Sequence, residues 1–488
     1  MSPLFLIVPI LLPIAGGFIL LLWNPAGSRA RNLYSMSVVC LTSLAVWAAL
    51  YLVNPGSVEL YSFTSGFSID FGADSASRLF ALMVSIMWPF VMLYAFDYME
   101  NTGRKNMFFA FYIMTYGITL GVAFASNMTT LYVFYEMLSL VTIPLVSYYA
   151  DHESMYAGRK YAAYTIGGAS LAFFAVVMTS IYGAAGNFHY GGSLGGIYDP
   201  KLMQAVFLFG FFGFGVKAAV FPLHSWLPTA SAAPTPVTAL LHAVAVVNSG
   251  VFAVIRLAWY IYGPDFLTGT ACLNIALGTV IFTLVFAACL AVKERHFKKR
   301  LACSTISNLS YMLFGALLMT PYGLEAGMLH MLFHSVIKMT LFLCAGAFMH
   351  VTGRNYVYEV NGVGRKMPVT FALYTVSALS LVGIPGLCGF ISKWHLVMAG
   401  FEEGSALAAA GAAALMIAAF LCAIYTLSIT IRAFFPMSGT DLYEKPGSAH
   451  EAHALMLVPI GFFALVNVIF GLWPGPVVDL IGKIAAGL

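Results

Sequence analysis

Residues 207–256 read FLFGFFGFGVKAAVFPLHSWLPTASAAPTPVTALLHAVAVVNSGVFAVIR, and this stretch decides how the whole chain is read. An apolar run carries one lysine, Lys217, and meets Pro222 five residues later. A short polar segment follows, with His224, Trp226, Pro228, Pro234 and Pro236. A second apolar run then holds His242, Asn248 and Arg256. A soluble core rarely needs so many helix breaks beside a cation. In a bilayer, non-helical backbone is tolerated only where protein or a water-filled cavity covers it. An ionisable group at that depth costs about 2.5–3.5 kcal/mol on insertion scales, so its presence calls for a function.

Composition agrees. Of 488 residues, 61% are hydrophobic and only 9% charged, with mean hydropathy +0.88. Soluble domains carry about a quarter charged residues, so the chain reads as a polytopic membrane protein. The net charge of +4 gives no reason to expect nucleic acid. Seven cysteines stand singly in apolar runs without a CxxC pair, so neither a metal nor an iron–sulfur cofactor is expected. No Gly-rich nucleotide loop is present, and no cofactor is assigned to the chain.

At about twenty apolar residues per crossing, fourteen spans are expected: 3–23, 32–53, 75–97, 107–125, 128–149, 161–184, 203–222, 236–260, 272–292, 301–320, 325–350, 368–396, 408–434 and 454–474. The first lacks a basic leader and holds three prolines, which argues for an uncleaved span. Basic residues gather after the odd-numbered spans, among them Arg29, Arg31, Arg104, Lys105, Arg159, Lys160 and the run KERHFKKR at 293–300. The positive-inside rule then puts both termini, and the Gly-rich segment 183–198, on the outer side of a prokaryotic cytoplasmic membrane. The basic run reads as a loop holding acidic lipid heads or docking a partner. Arg256 and Arg432 read as snorkelling residues near span ends.

Several polar residues fall at membrane depth. Glu136 lies mid-way along the fifth span, either as a structural or neutral acid or as a working partner of a cation. Lys217 either snorkels or exploits the polar backbone of the break beside it. His330, His334 and Lys338 recur every fourth residue and share one helix face at about 3.6 residues per turn. A proton wire suits this stripe better than a metal site, because no carboxylate or third ligand joins the histidines. His242 is open to core packing or to a place in the same wire. Lys393 follows the break at GIPG, where the twelfth helix restarts.

The phrase VKAAVFPLHSWLPTASAAPTPVTALLHA resembles the signature of the antiporter-like membrane subunits. That superfamily serves respiratory complex I, Mrp-type Na+/H+ antiporters and membrane-bound energy-converting hydrogenases. The likeness runs over about 75–435 and is strong again at 301–311 (LACSTISNLSY), 330–346 and 383–394. It implies an all-α membrane fold of about fourteen helices, with two inverted five-helix repeats containing broken helices. Helices 1–3 would fill 1–106, the first repeat 107–260, the second 261–435, and a C-terminal loop with helix 14 would fill 436–488. The chain ends soon after, so a long lateral C-terminal helix is not expected.

The resemblance also implies function. Glu136 and Lys217 would form the input pair, His242, His334, His330 and Lys338 the central relay, and Lys393 the exit for protons, with Na+ exchange as the variant. Implied partners are other antiporter-like and small membrane subunits, lipids and, if the complex is redox-linked, a peripheral iron–sulfur arm. A subunit of a pure cation/proton antiporter and a non-conducting scaffold remain as alternatives. Several relatives carry a lysine in the eighth span where this chain has Asn248, which can orient water but cannot carry a proton charge.

Overall fold

Apolar windows become helices here because a bilayer offers the backbone no other partner than itself. The computed structural model describes residues 3–25, 27–53, 56–64, 67–182, 186–195, 198–436 and 450–487. The first six spans are Pro3–Trp23, Ser28–Leu52, Ser75–Tyr98, Lys105–Ala123, Met128–Val146 and His152–Ile181. The seventh, Pro200–Gly215, unwinds at its end, and the eighth is Thr235–Tyr262. The ninth to eleventh are Ala271–Lys293, Phe297–Leu317 and Pro321–Thr352. The twelfth is split into Pro368–Val382 and Cys388–Glu402, followed by Ala406–Phe434 and Ala454–Leu472. The expected C-terminal loop falls mainly on 437–449 and part of the Gly-rich segment on 183–185 and 196–197, outside the described residues.

The layering is that of a membrane protein. The eighth span is wholly buried and the eleventh nearly so, whereas the first, second, sixth, ninth, thirteenth and fourteenth bury less than half of their apolar windows. The eleventh span is the axis: the tenth, both halves of the twelfth, the fourteenth and the first half of the eighth all pack against it. Outer positions carry Leu, Phe and Trp, while Lys217, His242, Asn248, His334 and Lys338 have no exposed surface. Gly250 brings the eighth span against the seventh, because a Cβ there would lie 2.8 Å from the carbonyl carbon of Lys217.

Five features depart from expectation. A hairpin, Ser57–Thr64 with Phe67–Gly72, stands in the connection before the third span of the otherwise helical fold. The sixth span begins nine residues earlier than its apolar window, at His152, because Asp151 caps it by accepting from the Ser154 amide at 2.7 Å. A further helix, Gly475–Ala485, follows the fourteenth span. The basic run is not a free loop either. Lys298 is buried and donates to the Ala233 carbonyl at 2.8 Å, and Arg300 reaches the Glu294 carbonyl at 2.8 Å.

Arg256 does not snorkel. It is fully buried in a π-helical turn, Arg256–Tyr262, stacked on Phe188, Phe252 and Tyr260 and paired in fork fashion with Asp74, which caps the third span. Burial pushes the Asp74 carboxyl up, but the guanidinium, together with Ser77, outweighs this and holds it below the usual carboxylate range. A depressed folded value makes this contribution to stability complete above the unfolded carboxylate pKa and lost as pH falls through the folded one. The Asp74 side chain is 40% exposed. Asp74→Ala should therefore cost about 2 kcal/mol, below the range for wholly buried pairs. Adding Arg256→Met should restore most of the melting temperature measured in detergent, since the stranded charge is then gone. Equal melting of the single variant and the wild type would show that the pair holds nothing.

Candidate functional site

Lys217 lies in the turn that ends the seventh span, just before Ala219, whose φ is +54°. It donates to the Tyr135 carbonyl of the fifth span and lies 3.5 Å from the centroid of the Tyr135 ring. Glu136 is the next residue along the fifth span. The two do not form a salt bridge among the described residues. Glu136 Oε1 is buried without a hydrogen-bond partner.

The eighth span breaks between Thr235–Ala243 and Val246–Ile255, one residue beyond His242. No proline or glycine marks the break, and no signal in the sequence located it. Two side chains hold it open. Asn248 Nδ2 donates to the freed Ala243 carbonyl and to Ser335 Oγ, both at 2.8 Å, and Ser335 Oγ lies 2.6 Å from the same carbonyl. Asn248 thus serves as a cap that ties the eighth span to the eleventh. The His242 ring stacks on Phe342 at 4.9 Å, and both its nitrogens lack a protein partner among the described residues.

On the eleventh span the expected stripe is present. Lys338 Nζ donates to the Leu301 carbonyl at 3.0 Å and to Ser304 Oγ at 2.6 Å. His334 is buried with both nitrogens unpartnered, its ring 6.0 Å from that of His330. His330 Nδ1 lies 2.9 Å from Ser392 Oγ and Nε2 lies 3.1 Å from Asn308 Oδ1. Asn308 gives its amide nitrogen to the Ser304 carbonyl at 2.7 Å, so its oxygen faces His330 and places that ring's proton on Nε2. Ser392 then donates to Nδ1. Lys393 Nζ donates to the Leu381 carbonyl at 2.5 Å and to the Val382 carbonyl at 3.2 Å, capping the first half of the broken twelfth span.

His330 joins His334, 6.0 Å away between ring centroids, to the restart of the twelfth span through Ser392, the residue before Lys393. Lys217 stands beside one helix break and Lys393 beside a second. Sequence reading missed the tenth span's contribution. Ser304, Asn308 and Tyr311 recur at i, i+4 and i+7 on one face, a pattern that could have flagged it. Tyr425 extends the network by donating to Ser304 Oγ at 2.9 Å. Among the described residues no group of three or more His, Cys, Asp or Glu side chains is arranged to hold a metal ion.

Three comparisons bear on this site. Residues 125–425 match the family described as NADH:quinone oxidoreductase/Mrp antiporter, TM. The chain is 30% identical over 481 residues to F(420)H(2) dehydrogenase subunit L of Methanosarcina mazei, covering 92% of this chain and 70% of that one. It is 29% identical over 477 residues to a probable K(+)/H(+) antiporter subunit of Rhizobium meliloti, covering 95% of this chain but only 46% of that longer protein. A chain of the Mrp complex from a Dietzia species has the same fold, with a TM-score of 0.84 at 21% identity, 99% of this chain and 97% of that chain being covered.

Asn248 gives a direct test of the centre. Asn248→Lys keeps a donor for the Ala243 carbonyl but adds a cation close to His242 and Lys338, and like charges repel strongly where little water screens them. Assembly should persist, and ion-coupled activity in sealed vesicles should stay level or fall modestly. A large gain would mean that the native line is interrupted at this position.

Proposed function

The chain belongs to the NADH:quinone oxidoreductase/Mrp antiporter transmembrane family, and from that premise we propose that it moves protons across the membrane as one subunit of a larger complex. The observation that carries the proposal is the run of buried ionisable side chains Lys217, His242, His334, Lys338, His330 and Lys393, with half-buried Glu136 beside the first of them. A stabilising core has no use for so many, since burying charge is costly unless it is paired.

Lys217 is the input. A nearby carboxylate favours the charged amine and a low-dielectric surround the neutral one, so small changes in the distance to Glu136 load or unload the proton. His242 and His334 hold ring nitrogens free of protein partners, and buried polar groups of this kind are ordinarily met by water, which would complete the wire. Lys338 is the central station, with Ser304 and Tyr425 beside it. His330, held by Asn308 and Ser392, passes the proton toward Lys393 at the exit.

The assembly follows from the same reading. Spans four to eight and nine to thirteen form two inverted repeats, 107–260 and 261–435, and the broken seventh and twelfth spans are the fourth element of each. Positive loops put both termini outside a prokaryotic cytoplasmic membrane. Neighbouring antiporter-like and small membrane subunits surround the chain. The energy source is either a peripheral iron–sulfur arm or, in a complex without redox partners, an ion gradient exchanged for H+. The relatives' names favour both versions, and the co-purifying subunits decide between them. Iron–sulfur proteins select the first and their absence the second.

Lys393→Arg tests the exit. Arginine can still cap the Leu381 and Val382 carbonyls, but it does not deprotonate in proteins. In the assembled complex, proton release into sealed vesicles should be lost while assembly is kept. Full release by this variant would make Lys393 a helix cap and nothing more.

A further inference from the structure

The turn between the first and second spans and the turn between the third and fourth lie side by side and enclose a cavity of about 800 Å³. Its lining includes Arg31, Arg104 and Lys105 and no carboxylate. Glu100 stands on the neighbouring loop outside the lining, and it is its backbone carbonyl that takes the Lys105 ammonium. Arg31 is 5% exposed. Its guanidinium takes the Asn32 side-chain oxygen at 3.0 Å and lies 5.3 Å from the Phe109 ring centroid, with no ion pair among the described residues. A buried cation without a counter-ion is costly and ordinarily acquires one.

Two further features favour an anion. The second span starts at Ser28 and the fourth at Lys105, and both lining residues stand at helix N-termini that no side chain caps. Free amides at such ends carry partial positive charge toward the cavity. Around it, Leu22, Trp23 and Leu33 are exposed apolar side chains, and Trp23 meets Tyr34 edge-on at 5.6 Å. Apolar surface with aromatic rings at its border suits the lipid interface, so the anion that fits is one carrying acyl chains.

We propose that this cavity binds the phosphate of an anionic phospholipid, with Arg31 at its floor, Arg104 and Lys105 at its rim, and the acyl chains lying along the first and second spans. The site is separate from the buried proton line, and its occupancy does not depend on whether that line conducts. Each basic side chain near a lipid surface contributes about fivefold in affinity.

The full chain, purified in nonionic detergent, is titrated with phosphatidylglycerol, phosphatidylcholine or inorganic phosphate, and bound lipid is read by native mass spectrometry beside the melting temperature. One phosphatidylglycerol should be retained in preference to phosphatidylcholine and should raise the melting temperature. The double variant Arg104→Gln/Lys105→Gln changes one exposed and one half-buried residue at the rim, and should bind about 25-fold more weakly while melting like the wild type without lipid. Equal retention of phosphatidylcholine, or unchanged affinity in the double variant, would overturn the proposal. Displacement of the lipid by millimolar inorganic phosphate would overturn it as well, making the cavity a site for a free anion.

Discussion

The lysine ammonium held by main-chain carbonyls is the interaction on which this structure depends. Lys217 takes the carbonyl of Tyr135, Lys298 that of Ala233, Lys338 that of Leu301, and Lys393 those of Leu381 and Val382. None of these four forms an ion pair with a carboxylate among the described residues. The distinction matters physically. A carboxylate partner would pin the amine in its charged form, whereas a carbonyl accepts from an ammonium and, more weakly, from a neutral amine. A chain of such sites can change protonation without losing its hydrogen bonds.

Helix breaks supply part of this chemistry. The twelfth span ends its first half at Val382, and the carbonyls freed there receive Lys393. Lys217 stands in the unwound end of the seventh span, and Gly250 lets the eighth approach it closely. The eighth span opens after Ala243, where Asn248 and Ser335 satisfy the exposed carbonyl and leave His242 at the edge of the gap. Irregular backbone at membrane depth survives only under such cover. The wholly buried eighth span and nearly buried eleventh provide it, while the Asp74–Arg256 pair fastens the end of the eighth to the start of the third.

Much of this was legible in the sequence because bilayer physics leaves few choices. Twenty-residue apolar windows located the spans, Pro222 and Pro385 located two breaks, and the Glu, Lys and His residues at depth stood out against an apolar background. What was not legible depends on distant contacts. Asp74 caps its own helix, and nothing local shows that it also meets Arg256, 182 residues away. The break after Ala243 has no proline or glycine and rests on side chains from another span. Asn248, read as a missing lysine, is a structural cap. Ser304 and Asn308 looked like ordinary small polar residues of a packed helix, yet they orient Lys338 and His330. Glu136 and Lys217, read as the input pair, form no salt bridge among the described residues: the lysine holds the carbonyl of Tyr135, the residue before Glu136.

That last arrangement makes Glu136 the most direct point at which to test the account. Glu136 has no bonding role to lose, since its buried Oε1 has no partner, so Glu136→Ala should leave the complex assembled. Proton translocation by that complex in sealed vesicles should fall to the level of vesicles lacking it, and Glu136→Asp, which keeps the charge at a longer distance from Lys217, should retain part. Wild-type translocation by a normally assembled Glu136→Ala complex would contradict the account, because the buried line would then carry protons without the charge that controls its first lysine.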